Sequence, residues 1–207
     1  MNRCIFCFLL ILSFNIVLSQ TKWREYEVES VDFIGNSQIH SDILRINIQT
    51  EESPWGFWRI ISYVSEKIGG KKQYYIPSRF ASDFEQIKMF YLENGFFFSS
   101  IDTVIEPDHI KKRVKLTFKI FEGPRSNIDT ITYLGLDQMS IEFLSDFYNN
   151  ALIKKGDPFN KQFVMCELKR ILTTFVNSGF INVKIDTVLT RRFASTNNIS
   201  ILFSVNP

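Results

Sequence analysis

The stretch VESVDFIG at residues 28–35 recurs later in the chain as IDTITYLG at residues 128–135. Both stretches combine β-branched and aromatic residues and close on a glycine, which is typical of a strand that ends in a turn. A matching pair of this kind indicates an internal duplication, so further matches in the same order are expected along the chain.

Three further matches occur in the same order in both halves of the chain. IDTV at residues 101–104 recurs at residues 185–188. Before it, a helical pattern that ends in Gly-Phe occurs twice, as Phe84, Ile87, Tyr91, Gly95 and Phe96 and again as Leu168, Ile171, Phe175, Gly179 and Phe180. After it, an alternating strand occurs twice, as Val114, Leu116, Phe118 and Ile120 and again as Ile199, Ile201, Phe203 and Val205.

Each repeat is therefore predicted to run strand, helix, helix, strand, strand. In the second repeat Ser140 is a good N-cap for the first helix, and the second helix is expected over about residues 160–177. The corresponding helix of the first repeat is expected over about residues 78–93. The strands that follow these helices are predicted at about residues 97–106 and 181–190.

The alternation of apolar and polar residues in the last strands predicts a sheet with one buried and one solvated face. The two helices of each repeat carry apolar stripes that must cover the buried face. The sequence thus predicts an α+β protein of two tandem β-α-α-β-β domains, each a three-stranded mixed sheet covered on one face by two helices. The predicted repeats are residues 26–123 and residues 124–207, joined at Glu122-Gly123-Pro124.

The N-terminus has the pattern of a secretory signal. Arg3 precedes an apolar stretch from Cys4 to Leu18, and cleavage is predicted after residue 19. The apolar stretch is shorter than the roughly 20 residues of a membrane span. An uncleaved anchor is the alternative. After cleavage Cys166 would be the one remaining cysteine, which leaves no intramolecular disulfide.

Composition and motifs favour a binding protein over an enzyme. The formal net charge is +2 with no long run of one sign, so no nucleic-acid partner is expected. His40 and His109 are the two histidines, and neither has a metal-ligand spacing to Cys or carboxylates. No nucleophile elbow, phosphate-binding loop or dinucleotide motif is present. The sequence predicts no catalytic residues, no metal and no cofactor.

Five short motifs in this order resemble the polypeptide-transport-associated (POTRA) repeat. They are Phe33–Asn36 at a strand end, Tyr91–Phe96 at a helix end, Phe121–Gly123 closing a strand, Gly156–Phe159 before a helix, and Gly179-Phe180 after it. The resemblance covers roughly residues 26–205. No one motif is specific, but their order and duplication make the likeness strong.

The resemblance implies a periplasmic module of the outer-membrane protein assembly or insertase family. In that family a row of POTRA repeats receives unfolded β-barrel precursors, docks partner proteins, and precedes a membrane barrel. The two repeats occupy the given 207 residues. If the native chain is longer, the expected link to the outer membrane is a downstream barrel. A barrel-less paralogue is the alternative.

The resemblance also implies that the strand after the second helix of each repeat has a free edge. A free edge offers unpaired backbone groups to an extended client. The expected client-binding residues are Ser100, Asp102 and Val104 in the first repeat and Lys184, Asp186 and Val188 in the second.

The first repeat carries an insertion at about residues 53–70. Ser53 as N-cap and Pro54 at the first helical position predict that the insertion is helical. Trp55 and Trp58 either extend the core or form an exposed patch for a partner or a membrane surface.

Two other functions use the same repeats. One is a periplasmic scaffold of the division type, which would need an uncleaved N-terminal anchor. The other is the periplasmic arm of a two-partner secretion transporter.

Overall fold

A computed structural model describes residues 23–54, 71–193 and 196–206. These residues separate into two compact units. The first contains residues 23–54, 71–89 and 100–121, and the second contains residues 90–99 and the remainder from residue 122 onward. The predicted signal at residues 1–19 lies outside the described residues.

Both repeats have the predicted order of elements. In its described residues the first contains β1 (Glu27–Ile34), α1 (Ser41–Ile46), α2 (Pro77–Glu93), β2 (Ser100–Asp108) and β3 (Arg113–Phe121). The second consists of β4 (Ile128–Leu134), α3 (Ile141–Asn149), α4 (Lys161–Asn177), β5 (Lys184–Phe193) and β6 (Asn198–Asn206). The predicted N-cap is confirmed, since the Ser140 side chain accepts a hydrogen bond from the backbone N–H of Phe143.

Each repeat forms a three-stranded mixed sheet. The strand orders are β1-β3-β2 and β4-β6-β5, so the last strand of each repeat lies in the centre. The central strand pairs in parallel with the first strand and antiparallel with the second. The predicted fold class is confirmed.

The duplication extends to the register of the sheets. Phe33 lies opposite Phe118, and Tyr133 lies opposite Phe203. Both ring pairs are stacked, with interplanar angles of 11° and 12°. The first strands also share an irregularity, which falls after Val28 in one repeat and after Ile128 in the other.

The core of each unit lies between its sheet and its helices. The alternating residues of β3 and β6 are all buried: Val114, Leu116, Phe118, Ile120, Ile199, Ile201, Phe203 and Val205. From the second helices Ile87, Ile171 and Phe175 are also fully buried. Burying one large apolar side chain contributes about 1.5–3 kcal/mol, so the central strand and second helix account for much of the stability.

The predicted starts of β2 and β5 are wrong by about three residues. After the helix-ending glycine the chain makes a turn, in which Ile181 donates to Gly179 O and Val183 donates to Phe180 O. Ile181 is 78% exposed as a result. Alternation in the sequence could not show this, because a turn with apolar residues reads like the start of a strand.

The glycine that ends each first strand is required by sterics. Gly35 and Gly135 have φ angles of +91° and +85°, in the region that favours glycine. A Cβ on Gly35 would overlap the carbonyl oxygen of Ile120, and one on Gly135 would overlap that of Val205. The chain therefore leaves the sheet directly against the central strand.

Candidate strand-addition edges

The strands β2 and β5 lie at the edges of their sheets, as the resemblance implied. In the described part of the chain each pairs with the central strand alone. In β2 the side chain of Ile101 is buried towards the core, whereas Ser100 and Asp102 are exposed and Val104 is half-buried on the opposite face. An extended segment approaching this edge would meet backbone groups flanked by small and polar side chains.

The edge strand β5 differs from β2 in its phase. Lys184 and Asp186 are exposed, as predicted. The ladder with β6 has an irregularity between Ile185 and Thr187, which reverses the alternation after it. The side chain of Val188 consequently packs against the core of the second unit, whereas the notional equivalent Val104 faces away from the helices. Val188 can contribute its backbone to the edge, but its side chain faces inward.

An aromatic and cationic cluster lies at the end of β5. The guanidinium carbon of Arg192 lies 5.3 Å from the ring centre of Phe97 and 4.6 Å from that of Phe98. Phe97 also packs on Phe159, with ring centres 5.7 Å apart. Phe98 remains 45% exposed beside the cation. Sequence reasoning missed this cluster, because Arg192 is far from both rings along the chain.

The predicted partner patch of Trp55 and Trp58 lies outside the described residues. Its role therefore stays a prediction. The ends of the insertion are described, and they meet at its base: Gln73 N donates to Ser53 Oγ at 2.9 Å, and Ser53 Oγ donates to Gln73 O at 3.2 Å. The insertion thus leaves and re-enters the first repeat at one point.

A buried carboxylate occupies the same position of the second helix in both repeats, one residue before Phe84 and Leu168. In the first repeat Asp83 accepts hydrogen bonds from the backbone N–H of Gln49 at 2.7 Å and of Thr50 at 2.9 Å, and from the Thr50 hydroxyl. These bonds fix the segment that follows the first helix. The repeat alignment could have pointed to this pair, since both helices place an acid on the apolar side.

In the second repeat the carboxylate is Glu167, which is fully buried. It accepts hydrogen bonds from Leu152 N at 2.9 Å, the Tyr133 hydroxyl at 2.8 Å and Arg170 Nη2 at 2.6 Å. Burial by itself raises the pKa of Glu167, but the bonds from Arg170, Leu152 and Tyr133 outweigh it and hold that pKa below its ordinary value. Burial, together with the acceptor Glu167, raises the pKa of Tyr133.

The closing Glu-Gly of the first repeat has a structural role. Glu122 is buried and accepts a hydrogen bond from the Tyr91 hydroxyl at 3.0 Å. Burial and this acceptor raise the pKa of Tyr91. The bond connects the last turn of α2 to the residue that follows β3.

The remaining candidates for chemistry are possible metal ligands and the two histidines. Across residues 23–54, 71–193 and 196–206, no group of three His, Cys, Asp or Glu residues could hold a metal ion. His40 caps α1, and Nδ1 of His109 lies 2.6 Å from the Tyr26 hydroxyl. Both histidines thus take part in local structure.

Comparison with known proteins agrees with this architecture. Residues 26–123 match the POTRA family model, described as a surface antigen variable number repeat. The first repeat is therefore similar to POTRA domains over residues 26–123. The second repeat shares the element order, strand order and register of the first.

Relatives of known name extend the similarity over both repeats. The chain is 21% identical over 175 residues to the outer membrane protein assembly factor BamA of Buchnera aphidicola, covering 84% of this chain and 26% of that protein. The chain therefore spans about a quarter of the length of this relative. Among solved structures it is similar to POTRA3-5 of Haemophilus influenzae BamA, with a TM-score of 0.48, 18% identity and coverage of 87% and 66%. It is also similar to POTRA1-2 of Omp85 from Anabaena, with a TM-score of 0.42, 12% identity and coverage of 86% and 93%.

Proposed function

We propose that this chain is a periplasmic, non-enzymatic module of outer-membrane protein assembly or translocation. In this role it receives unfolded outer-membrane β-barrel precursors by strand addition at β2 and β5 and docks assembly partner proteins. The family of the first repeat and the name of the Buchnera relative support the process. The position of β2 and β5 at the sheet edges supports the mode of binding.

Strand addition suits clients of many sequences. A strand at an edge pairs with an extended peptide through backbone N–H and C=O groups, which every residue carries. Barrel precursors consist of extended, alternating segments with high β-propensity. Polar residues such as Asp102 and Lys184 would limit edge-to-edge pairing between copies of the module while leaving the backbone accessible.

Export and attachment complete the proposal. The predicted signal at residues 1–19 would deliver the chain to the periplasm. Among the described helices, none has the length and apolar character needed to cross a bilayer. We propose that association with the outer membrane depends on a downstream barrel or on partner proteins.

Site-specific photo-crosslinking tests the client role. Crosslinkers at Ser100, Asp102, Lys184 and Asp186 are expected to capture an unfolded barrel precursor. Lys169 is the control, because it is also exposed but lies on the helix α4 rather than on a strand. Capture at none of the four positions, or equal capture at Lys169, would refute strand addition at these edges.

A further inference from the structure

The outer edge of the first strand is closed in the first repeat. The backbone N–H of Val28 donates to Gln73 O at 2.8 Å, and its carbonyl accepts from Ser53 N at 3.0 Å. Further along, the N–H of Val31 donates to Glu52 Oε1 at 2.9 Å, and its carbonyl accepts from Arg45 Nη2 at 2.9 Å. Val31 is fully buried beneath these partners.

The same edge of the second repeat is closed at one end alone. The N–H of Ile128 donates to Asp157 O at 2.8 Å, and its carbonyl accepts from Gly156 N at 2.7 Å, as for Val28. Because β1 and β4 share their register and irregularity, the backbone groups of Ile131 point outward like those of Val31. In the described part of the chain, no loop or side chain bonds to these outward groups of Ile131.

The edges of β1 and β4 differ because of residues in and near the first helix of each repeat. Counted from the turn glycine, the place of Arg45 is taken by Ser145, whose short side chain lacks a guanidinium. Ile131 is partly exposed, in contrast to the fully buried Val31. Tyr133, two residues on, directs its backbone to the same side as Ile131. Two successive outward positions of β4 are thus available for pairing.

A groove runs beside this open edge. It has a volume of about 450 Å³, and its lining includes Ile131, Tyr133, Tyr148, Ile153, Lys154 and Lys155. The rings of Tyr133 and Tyr148 lie 5.8 Å apart and form an aromatic wall. Lys155 pairs with Asp129 at 3.3 Å, which leaves the positive charge of Lys154 to set the sign of the groove.

We propose that the outer edge of β4 binds an extended, acid-bearing polypeptide segment as an added strand. The segment pairs with the backbone of Ile131 and Tyr133, places alternate side chains in the tyrosine-lined groove, and directs a carboxylate towards Lys154. The first repeat shows the same chemistry within the chain, where the Glu52 carboxylate accepts from the N–H of Val31. This site is separate from β2 and β5 and does not depend on the client role proposed for them.

NMR titration of the full chain with a synthetic peptide tests the site. The probe is a capped ten-residue peptide of alternating valine and threonine with two glutamates, and its matched control carries lysines in place of the glutamates. The amide signals of Ile131 and Tyr133 are expected to shift with the acidic peptide and to shift less with the basic one. Self-association that moves these signals without peptide would assign the edge to a second copy and overturn the proposal.

Charge and backbone variants separate the two parts of the proposal. Lys154→Glu should weaken acidic-peptide binding about two- to fivefold, the range of one exposed charge pair. Lys169→Glu makes the same charge change on an exposed position of α4 and should leave binding unchanged. Ser145→Arg, which supplies the arginine of the first repeat, should weaken binding of both peptides by about tenfold.

The reciprocal variant tests whether the edge of β4 is open because it lacks the partners that Arg45 and Glu52 provide to Val31. Arg45→Ser with Glu52→Ser should expose the groups of Val31 and add new peptide-dependent shifts at that residue. Unchanged tryptophan fluorescence would show that the first repeat remains folded. Shifts at β5 without shifts at β4 would overturn this inference and leave the client role intact. Shifts at β4 without shifts at β5 would support this inference and contradict strand addition at β5.

Discussion

Each repeat has its own sheet of the same topology, and the two differ in how the chain after the first helix is held. In both repeats the first strand pairs with the central strand in the same register, with an irregularity at the same position and a stacked ring pair. In the first repeat Asp83 holds backbone and hydroxyl donors, whereas in the second Glu167 holds an arginine, a tyrosine and a backbone donor. The central strand carries the core in each case, so the edge beside the helices can be closed in one repeat and open in the other.

The largest effect is expected from neutralising Glu167. Glu167→Gln leaves Arg170, whose side chain is 13% exposed, without its anion. Breaking a buried ion pair by removing one partner costs about 3–5 kcal/mol. The matched change Asp83→Asn should cost about 1–3 kcal/mol, because it disturbs hydrogen bonds without leaving a charge unpaired.

Hydrogen exchange followed by mass spectrometry measures the two losses within each repeat. Tryptophan fluorescence adds a local reading, since all three tryptophans, at residues 23, 55 and 58, precede the second repeat. If Asp83→Asn is as destabilised as Glu167→Gln, the unpaired charge of Arg170 does not account for the predicted difference between the two carboxylates.

The turn glycines should give the next largest effect and the same one in both repeats. Gly35→Ala or Gly135→Ala puts a Cβ against a carbonyl of the central strand, at a φ that disfavours any side chain, and should cost about 2–3 kcal/mol. Gly156 has a similar φ of +92° but open space around its Cβ position, so Gly156→Ala should cost about 1 kcal/mol. Urea unfolding of the three variants compares these values, and equal losses would show that φ alone matters.

Opening the closed edge should have a smaller effect. Arg45→Ala with Glu52→Ala removes the two side chains that cover Val31, and water can replace part of what is lost. We expect a loss of about 1–2 kcal/mol in the free energy of unfolding of the first repeat. Amide hydrogen exchange at Val31 is the measurement, and it should be faster in the double variant than in the parent chain. Unchanged exchange would show that these side chains do not protect the edge.

The smallest effect is expected in the pH dependence of stability, which should differ between the parent chain and the Glu167→Gln variant. The pKa of Glu167 in the folded chain lies below its ordinary value of 4.5, so its contribution is present above about pH 4.5 and is lost as pH falls through the folded pKa. The second repeat of the parent chain should lose stability on acidification, and the Glu167→Gln variant should lose less. Circular dichroism melts from pH 7 to pH 3 provide the comparison, and parallel pH profiles would contradict it.

The fold was largely predictable because the duplication supplies an internal check. Alternation in Val114–Ile120 and in Ile199–Val205 marks the same buried strand twice, and both predictions are confirmed. The starts of β2 and β5 were not predictable, because Ile181 follows the strand pattern and yet lies in a turn. Likewise the irregularity in β5 reverses the phase of Val188, and the sequence contains no mark of it.

The sequence by itself determined that there are two repeats, the order of their elements, the turn at Gly35 and Gly135, and the apolar face of each central strand. These features depend on local sterics and on periodicity, which are written along the chain. Only the tertiary structure decided that Glu167 pairs with Tyr133 and Arg170, and that the edge is closed at Val31 and open at Ile131. Such contacts join residues distant in sequence, so they depend on which side chain is long enough and correctly charged to reach its partner once the sheet has formed.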